Sequence, residues 1–268
     1  MYSGTTIHSK SGGIMGVHQK IDRVARRHFA VLPGVAGGFP SIKDILHFEG
    51  NNGPDGIKRK SPSVDEPWHY IDPSKPDDTA ILDMILDHHH NLVQALRSHN
   101  NERAAFEAAW LAHAIVDGLT PAHHYPLSEK IEELWGKPKE ERVSIVEKNV
   151  IKGDTRRQTL SKNWEYWGAK GVFMTHGLFE MGVATSIKTT RFTSVGPDAE
   201  WLRAADARGF AEVFMNAVHN VYALDMYHQF WQNGWSTNLA KQTRRDLVPE
   251  IIRIVTYAWY TAYREAGL

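Results

Sequence analysis

After a Gly/Ser-rich arm, apolar residues return at helical intervals, and Ile21, Val24, Ala25 and Phe29 predict a first helix. Ser41 follows Pro40 and precedes Ile42, Ile45 and Leu46, the pattern of a capped short helix that ends at Gly50 and Asn51. From there to Pro76, GNNGPDG, KSPSVDEPW and IDPSKPDD place turn residues every few positions, so a loop is expected. Loops of that length in a compact domain are usually functional or disordered. Asp78 and Thr79 open a helix striped by Ile81, Leu82, Ile85, Leu92, Val93 and Leu96. The next runs from about Glu102 to Asp117 and is stopped before Pro121. Residues 128–150 predict a charged helical pair broken at GKPK, and residues 162–188 a helix rich in Trp, Phe and Met. Segments from Ala199 to about Gln232 and from Leu239 to Glu265 complete the set. With no repeat and little strand signal, the expected fold is all-α: a single compact multi-helix domain over residues 1–268, with longer loops than a simple bundle needs.

Composition narrows the chemistry. Lys plus Arg and Asp plus Glu both number 31, so no global basic field recruits nucleic acid or an anionic membrane, and an anionic substrate must be attracted locally. The absence of cysteine removes disulfides, thiolate metal sites and cysteine nucleophiles together, and leaves the redox compartment undetermined. Any metal must be held by nitrogen and oxygen, and the chain has 15 His to supply the nitrogen. No stretch approaches the roughly 20 apolar residues of a membrane span, so no stable membrane insertion is expected. The opening residues lack the apolar core of a secretory signal. The chain reads as soluble, secreted if a signal segment was removed and otherwise cytoplasmic.

The sharpest local feature is LAHAIVDGLTPAHH, where His113 and Asp117 stand four apart on one helix face and can grip one metal ion. His123 follows the break at Pro121, in a turn that can bend it toward a neighbouring ion. His176 and Glu180 in THGLFE repeat the spacing on a later helix. Such pairs are often no more than exposed helix pairs. Asp117, however, lies among Ala112, Ala114, Ile115 and Val116, where an unpaired acid would be costly to bury. Imidazole and carboxylate without sulfur suit zinc, and ligand type alone also admits manganese or iron. The run His88, His89, His90 points around its helix and cannot converge on one ion, so solvated or supporting roles are expected there. His28, His47, His219 and His228 read as core or supporting groups. Trp164, Tyr166 and Trp167 read as core, with stacking on a base or lining a lipid groove as the alternatives, and Arg244 and Arg245 read as a solvated helix end.

Taken in order along the chain, these elements resemble the superfamily of zinc-dependent phospholipases C and single-strand-specific nucleases. Its pattern of His, three residues, Asp, five residues and a second His after a Pro and a small residue is matched by His113, Asp117, Pro121 and His123. Upstream, Asp55 in GPDG and His69 in WHYIDP match a loop Asp and a following His, and His18 in VHQKIDRVA matches a His that opens the first helix. His176 and Glu180 match the downstream pair. The resemblance spans roughly His18 to Glu180 and favours His123 over His124 as the ligand in the turn.

The resemblance implies two or three Zn2+ ions: one held by Asp55, His69, His113 and Asp117, a second by His123, His176 and Glu180. Asp117 would bridge to a third, shared with His18 and an N-terminal backbone group. It further implies hydrolysis of a phosphodiester by a metal-bound hydroxide, the metal lowering the pKa of water from about 15.7 toward roughly 7, with Asp55 as the catalytic residue that accepts a proton from that water or orients it. The expected activity is of phospholipase C type, with a single-strand-specific nuclease as the alternative and a metal-stabilised non-catalytic helical module as the non-enzymatic one. The corresponding partners are phospholipid or single-stranded nucleic acid. Two departures stand out. The family begins with a Trp whose amine and carbonyl bind metal, whereas this chain begins Met1-Tyr2. Where the family's lipases place aromatic residues for choline, this chain has Gly56 and Glu66, so a choline headgroup is not expected. Residues 127–167 form a longer segment than the resemblance predicts, a lid or a partner surface.

Overall fold

The apolar stripe of Ile21, Val24, Ala25 and Phe29 is the buried face of the first helix, α1 (Val17–Phe29). The structure, a computed structural model, describes residues 1, 3, 16–61, 68–124, 127–138, 141–168 and 171–268, without the side chains of residues 59, 127, 128 and 148. Most of the N-terminal arm, Glu66 and part of the GKPK break lie outside the described residues. α2 (Ile42–His47) is capped by the Ser41 side chain, which accepts from the Asp44 N–H. α4 (Ala80–Arg97) and α5 (Asn101–Gly118) pack as an antiparallel hairpin, and the last helix, α14 (Val248–Glu265), lies against α1, α4 and α5. Trp259 of α14 is fully buried and its indole N–H donates to the Ala108 carbonyl of α5 at 3.0 Å, which satisfies the ring's polar atom inside the core.

Four shorter helices, α10 (Ala199–Arg208), α11 (Phe210–Ala223), α12 (Met226–Asn233) and α13 (Thr237–Gln242), cover the remaining side. A single helix is expected from Ala199 to about Gln232, and the chain instead breaks twice. Gly209 takes φ +85° and Asp225 φ +52°, left-handed conformations that a continuing helix cannot contain. The expected helix over 162–188 is likewise two, α8 (Arg156–Trp167) and α9 (Val172–Ile187). Between them Gly171 packs so close to the end of α8 that a Cβ there would lie 2.5 Å from the Tyr166 carbonyl.

The charged segment folds as α6 (Leu127–Trp135) and a short α7 (Ile145–Asn149). Together with α8 and α9 it encloses a second apolar cluster of Leu134, Trp135, Ile151, Tyr166 and Val172, separate from the main core. The stretch expected as loop from Gly50 to Pro76 contains a 3₁₀ turn (Gly50–Asn52) and a helix, α3 (Pro54–Lys60). Pro54 stands in the first turn of α3, where its missing N–H costs nothing, so a residue that reads as a loop signal begins a helix instead. The architecture is all-α, with no strand among the described residues, and none of its described helices is long and apolar enough to cross a membrane.

Candidate metal centre

Asp117 lies at the meeting point of four elements. It is the penultimate residue of α5, buried, and its two oxygens face different groups. Oδ2 stands 3.4 Å from His113 Nε2 on the same helix. Oδ1 stands 2.9 Å from the Met1 amine, 3.6 Å from His18 Nε2 of α1 and 3.5 Å from His123 Nδ1. His123 reaches this position because α5 ends at Gly118 and the 3₁₀ turn Pro121–His123 reverses the chain. His124 turns the other way and its ring bonds the Gly118 carbonyl at 2.8 Å.

His123 also joins Asp117 to the pair on α9. Its Nε2 is 3.3 Å from Glu180 Oε1, and His176 Nε2 is 2.9 Å from the same oxygen. Two groups of ligand atoms result, His18, His113 and Asp117 in one and His123, His176 and Glu180 in the other, and each can hold a metal ion. Around a four-coordinate ion with ligands at about 2.1 Å, neighbouring ligand atoms stand roughly 3.4 Å apart. The separations of 3.3 to 3.6 Å between His18, His113 or His123 and the two acids fit such edges, too long for good hydrogen bonds. His18 Nδ1, His123 Nδ1 and His176 Nδ1 are buried without a hydrogen-bond partner.

Asp55, in the first turn of α3, approaches His113 Nε2 at 3.7 Å and is partly exposed. His69 is buried with its ring 5.5 Å from that of His123, but its Nε2 accepts from the Lys58 ammonium at 2.7 Å. The structure therefore brings His18, His113, Asp117, His123, His176 and Glu180 into the two groups, places Asp55 at their edge, and turns a His69 ring nitrogen toward Lys58. On this side lies a narrow recess of about 10 Å³, room for little more than one water, lined by Asp55, Lys58, Trp68, His69, Trp110 and Asp117 among others.

At Asp117, Glu180, His18 and His123 the electrostatics favour the protonation states that ligation requires, neutral imidazole and ionised carboxylate. Burial pushes the Asp117 carboxyl up, but the Met1 amine, His123 and His113 outweigh it and hold the group well below the usual range. Glu180 is held low in the same way by the Met1 amine and His176 against its burial. Burial, assisted by His113, keeps His18 neutral, and burial brings His123 down to about 4. His113 goes the other way: burial lowers it, but Glu49 and Asp117 prevail and raise it well above the ordinary value. Its Nε2 therefore carries a proton where an ion would otherwise bind. Burial lowers the Met1 amine, yet Asp117, Glu180 and Asp55 raise it to about 10.

Two supporting groups, Glu49 and Asp22, are absent from the sequence reading. Glu49 is fully buried and accepts from His113 Nδ1 at 3.2 Å, which fixes the ring with Nε2 toward Asp117. Asp22, one turn along α1 from His18, is buried beside Glu49, and burial followed by that neighbour pushes its carboxyl well up. His18 and Asp22 stand at the same i, i+4 spacing as the other two His and acid pairs, a signal that would have found Asp22. Met1 contributes only its backbone, the amine to Asp117 and the carbonyl to His18 Nε2–H at 2.7 Å. The His run diverges as expected. His88 bonds buried Glu107 at 2.6 Å, His89 meets Thr261 at 2.9 Å, and His90 is exposed. No family model, curated protein or solved structure matches the chain.

Proposed function

We propose that this protein is a zinc-dependent phosphodiester hydrolase of phospholipase C type. The observation that carries the reading is Asp117, one buried carboxylate with His113 Nε2 beside one oxygen and both His18 Nε2 and His123 Nδ1 beside the other, at ion-ligand spacing. Nitrogen and oxygen donors with no cysteine in the chain suit zinc. His18, His113 and Asp117, with the Met1 backbone beside them, would hold one ion, and His123, His176 and Glu180 another. Zinc there would neutralise phosphate oxygens and supply a nucleophilic hydroxide near neutral pH. Asp55 and Lys58 both line the recess, where the Asp55 carboxylate would take a proton from attacking water and the Lys58 ammonium would meet a phosphate oxygen.

A nuclease is the second reading, favoured by Trp68 and Trp110 in the lining of the same recess, since a nuclease of this kind needs an aromatic surface to stack a base. Metal analysis of the purified protein, with hydrolysis assays on a chromogenic phosphodiester, a phospholipid and single-stranded DNA, tests both. Bound zinc with release of phosphorylated headgroup is the expected result. Cleavage of DNA alone selects the nuclease, and stoichiometric metal without any hydrolysis selects a non-catalytic module.

A further inference from the structure

The segment between the two halves of the metal centre carries a surface that the hydrolase reading leaves unused. Along α8, Leu160, Trp164 and Trp167 recur at i, i+4 and i+7 and so form one stripe, with Leu160 73 % and Trp164 75 % exposed. At its end Trp167 packs on Phe173 of α9, ring centroids 4.7 Å apart, and its indole N–H donates to the Asn149 carbonyl that closes α7. Phe173, 42 % exposed, extends the apolar face onto α9, and α7, bonded to Trp167 through Asn149, exposes Val146 at 62 %. Phe173 lies three residues before His176 on the same helix.

Charge identifies what this face meets. α8 carries Arg156, Arg157 and Lys162 against a single acid, Glu165, although the whole chain is balanced at 31 positive and 31 negative groups. None of those three cations forms an ion pair among the described residues, and Arg156 and Arg157 are exposed at the start of the stripe. Tryptophan and leucine beside unpaired arginines match the boundary between acyl chains and anionic headgroups, which accepts both the rings and the charge. A second copy of the chain would instead bring like charges together. We propose that the α7–α8–α9 face adsorbs this protein to an anionic lipid bilayer, without insertion. The proposal deepens the phospholipase reading, on which it rests only for the purpose of the contact.

Sedimentation of the full-length protein with phosphatidylserine/phosphatidylcholine vesicles in the cold tests adsorption independently of turnover, while a soluble chromogenic phosphodiester reports hydrolysis separately. The wild type should bind, and the double variant Leu160→Glu, Trp164→Glu should lose at least about tenfold in partitioning while hydrolysing the soluble substrate at the wild-type rate. Arg156→Glu with Arg157→Glu should weaken binding to anionic vesicles and leave the little binding to pure phosphatidylcholine unchanged. Binding without hydrolysis of any substrate would uphold the surface and defeat the hydrolase reading. Three results would overturn the surface itself: no binding by the wild type, binding by both double variants equal to that of the wild type, or self-association or oligonucleotide binding that the Leu160, Trp164 variant abolishes in place of vesicle binding.

Discussion

Replacing Asp117 by Asn preserves size and one acceptor oxygen and removes one negative charge from a buried position faced by the Met1 amine, His18, His113 and His123. Removing one member of a buried ion pair costs about 3–5 kcal/mol. Applied to metal rather than to a proton, that loss corresponds to a fall in affinity of roughly 10²- to 10⁴-fold. The upper end is expected, because the lost carboxylate faces both sets of ligands and offsets the repulsion between two cations. Metal-free Asp117→Asn should also be less stable, since the Met1 amine loses its nearest acid and keeps Glu180 at 3.5 Å and the weaker influence of Asp55. Equilibrium dialysis against buffered zinc, with thermal unfolding in chelator and hydrolysis of a chromogenic phosphodiester, measures all three. His90→Ala, on the exposed side of α4, is the control and should change none of them. An Asp117→Asn protein with wild-type zinc content and hydrolysis would place the metal elsewhere and defeat the reasoning.

Glu49→Gln keeps the size of the side chain beside His113 Nδ1 but not its charge, and should lower zinc affinity about 10- to 100-fold with the fold retained; unchanged affinity would mean that Glu49 only fills space. Because His113 is raised and protonated in the metal-free protein, zinc binding at pH 7 should release protons, seen in calorimetry as a binding enthalpy that varies with the ionisation enthalpy of the buffer, and buffer-independent heat would contradict it. His124 is brought from 6.5 to about 4 by burial, so its contribution is complete above pH 6.5 and is lost as pH falls toward 4, about 3 kcal/mol in all. Guanidinium unfolding of the metal-free protein across that window should show the loss, and His124→Asn should flatten the slope; an equally steep slope in the variant would assign the acid sensitivity to other groups.

The long helices were legible because their apolar stripes persist for several turns, as Ile81 to Leu96 in α4 and Ala104 to Val116 in α5 do. The breaks were harder to see. Asp225 is an ordinary helix residue until its backbone is observed at φ +52°, and Gly171 is one glycine among 21 until its approach to Tyr166 is known. α3 was hidden by the residues that start it, since Gly53, Pro54 and Asp55 spell a turn as readily as a helix N-terminus. Position in the first turn means that Asp55 is held by a helix end rather than by a free loop.

The centre itself shows a sharper division between what side-chain pattern reveals and what it conceals. The i, i+4 pairs on α5 and α9 were visible because helical geometry converts spacing into proximity. Convergence of those helices with α1 and the 3₁₀ turn depends on packing that no local spacing encodes. Glu49 illustrates this, for it is 64 residues from His113 in the chain yet fixes which nitrogen of that ring faces Asp117. Met1 illustrates a contact that residue type conceals. The departure from the resemblance is a Met in place of a Trp, whereas the contacts to Asp117 and His18 are made by a backbone amine and a carbonyl. Any residue carries those two groups, so residue type alone does not reveal such contacts. The ion position beside His18 is open to test by zinc stoichiometry: with His18→Ala, the protein should bind fewer ions than the wild type while His123, His176 and Glu180 keep theirs. Equal stoichiometry in the two proteins would show that His18, despite its 3.6 Å approach to Asp117, packs against the centre without serving it.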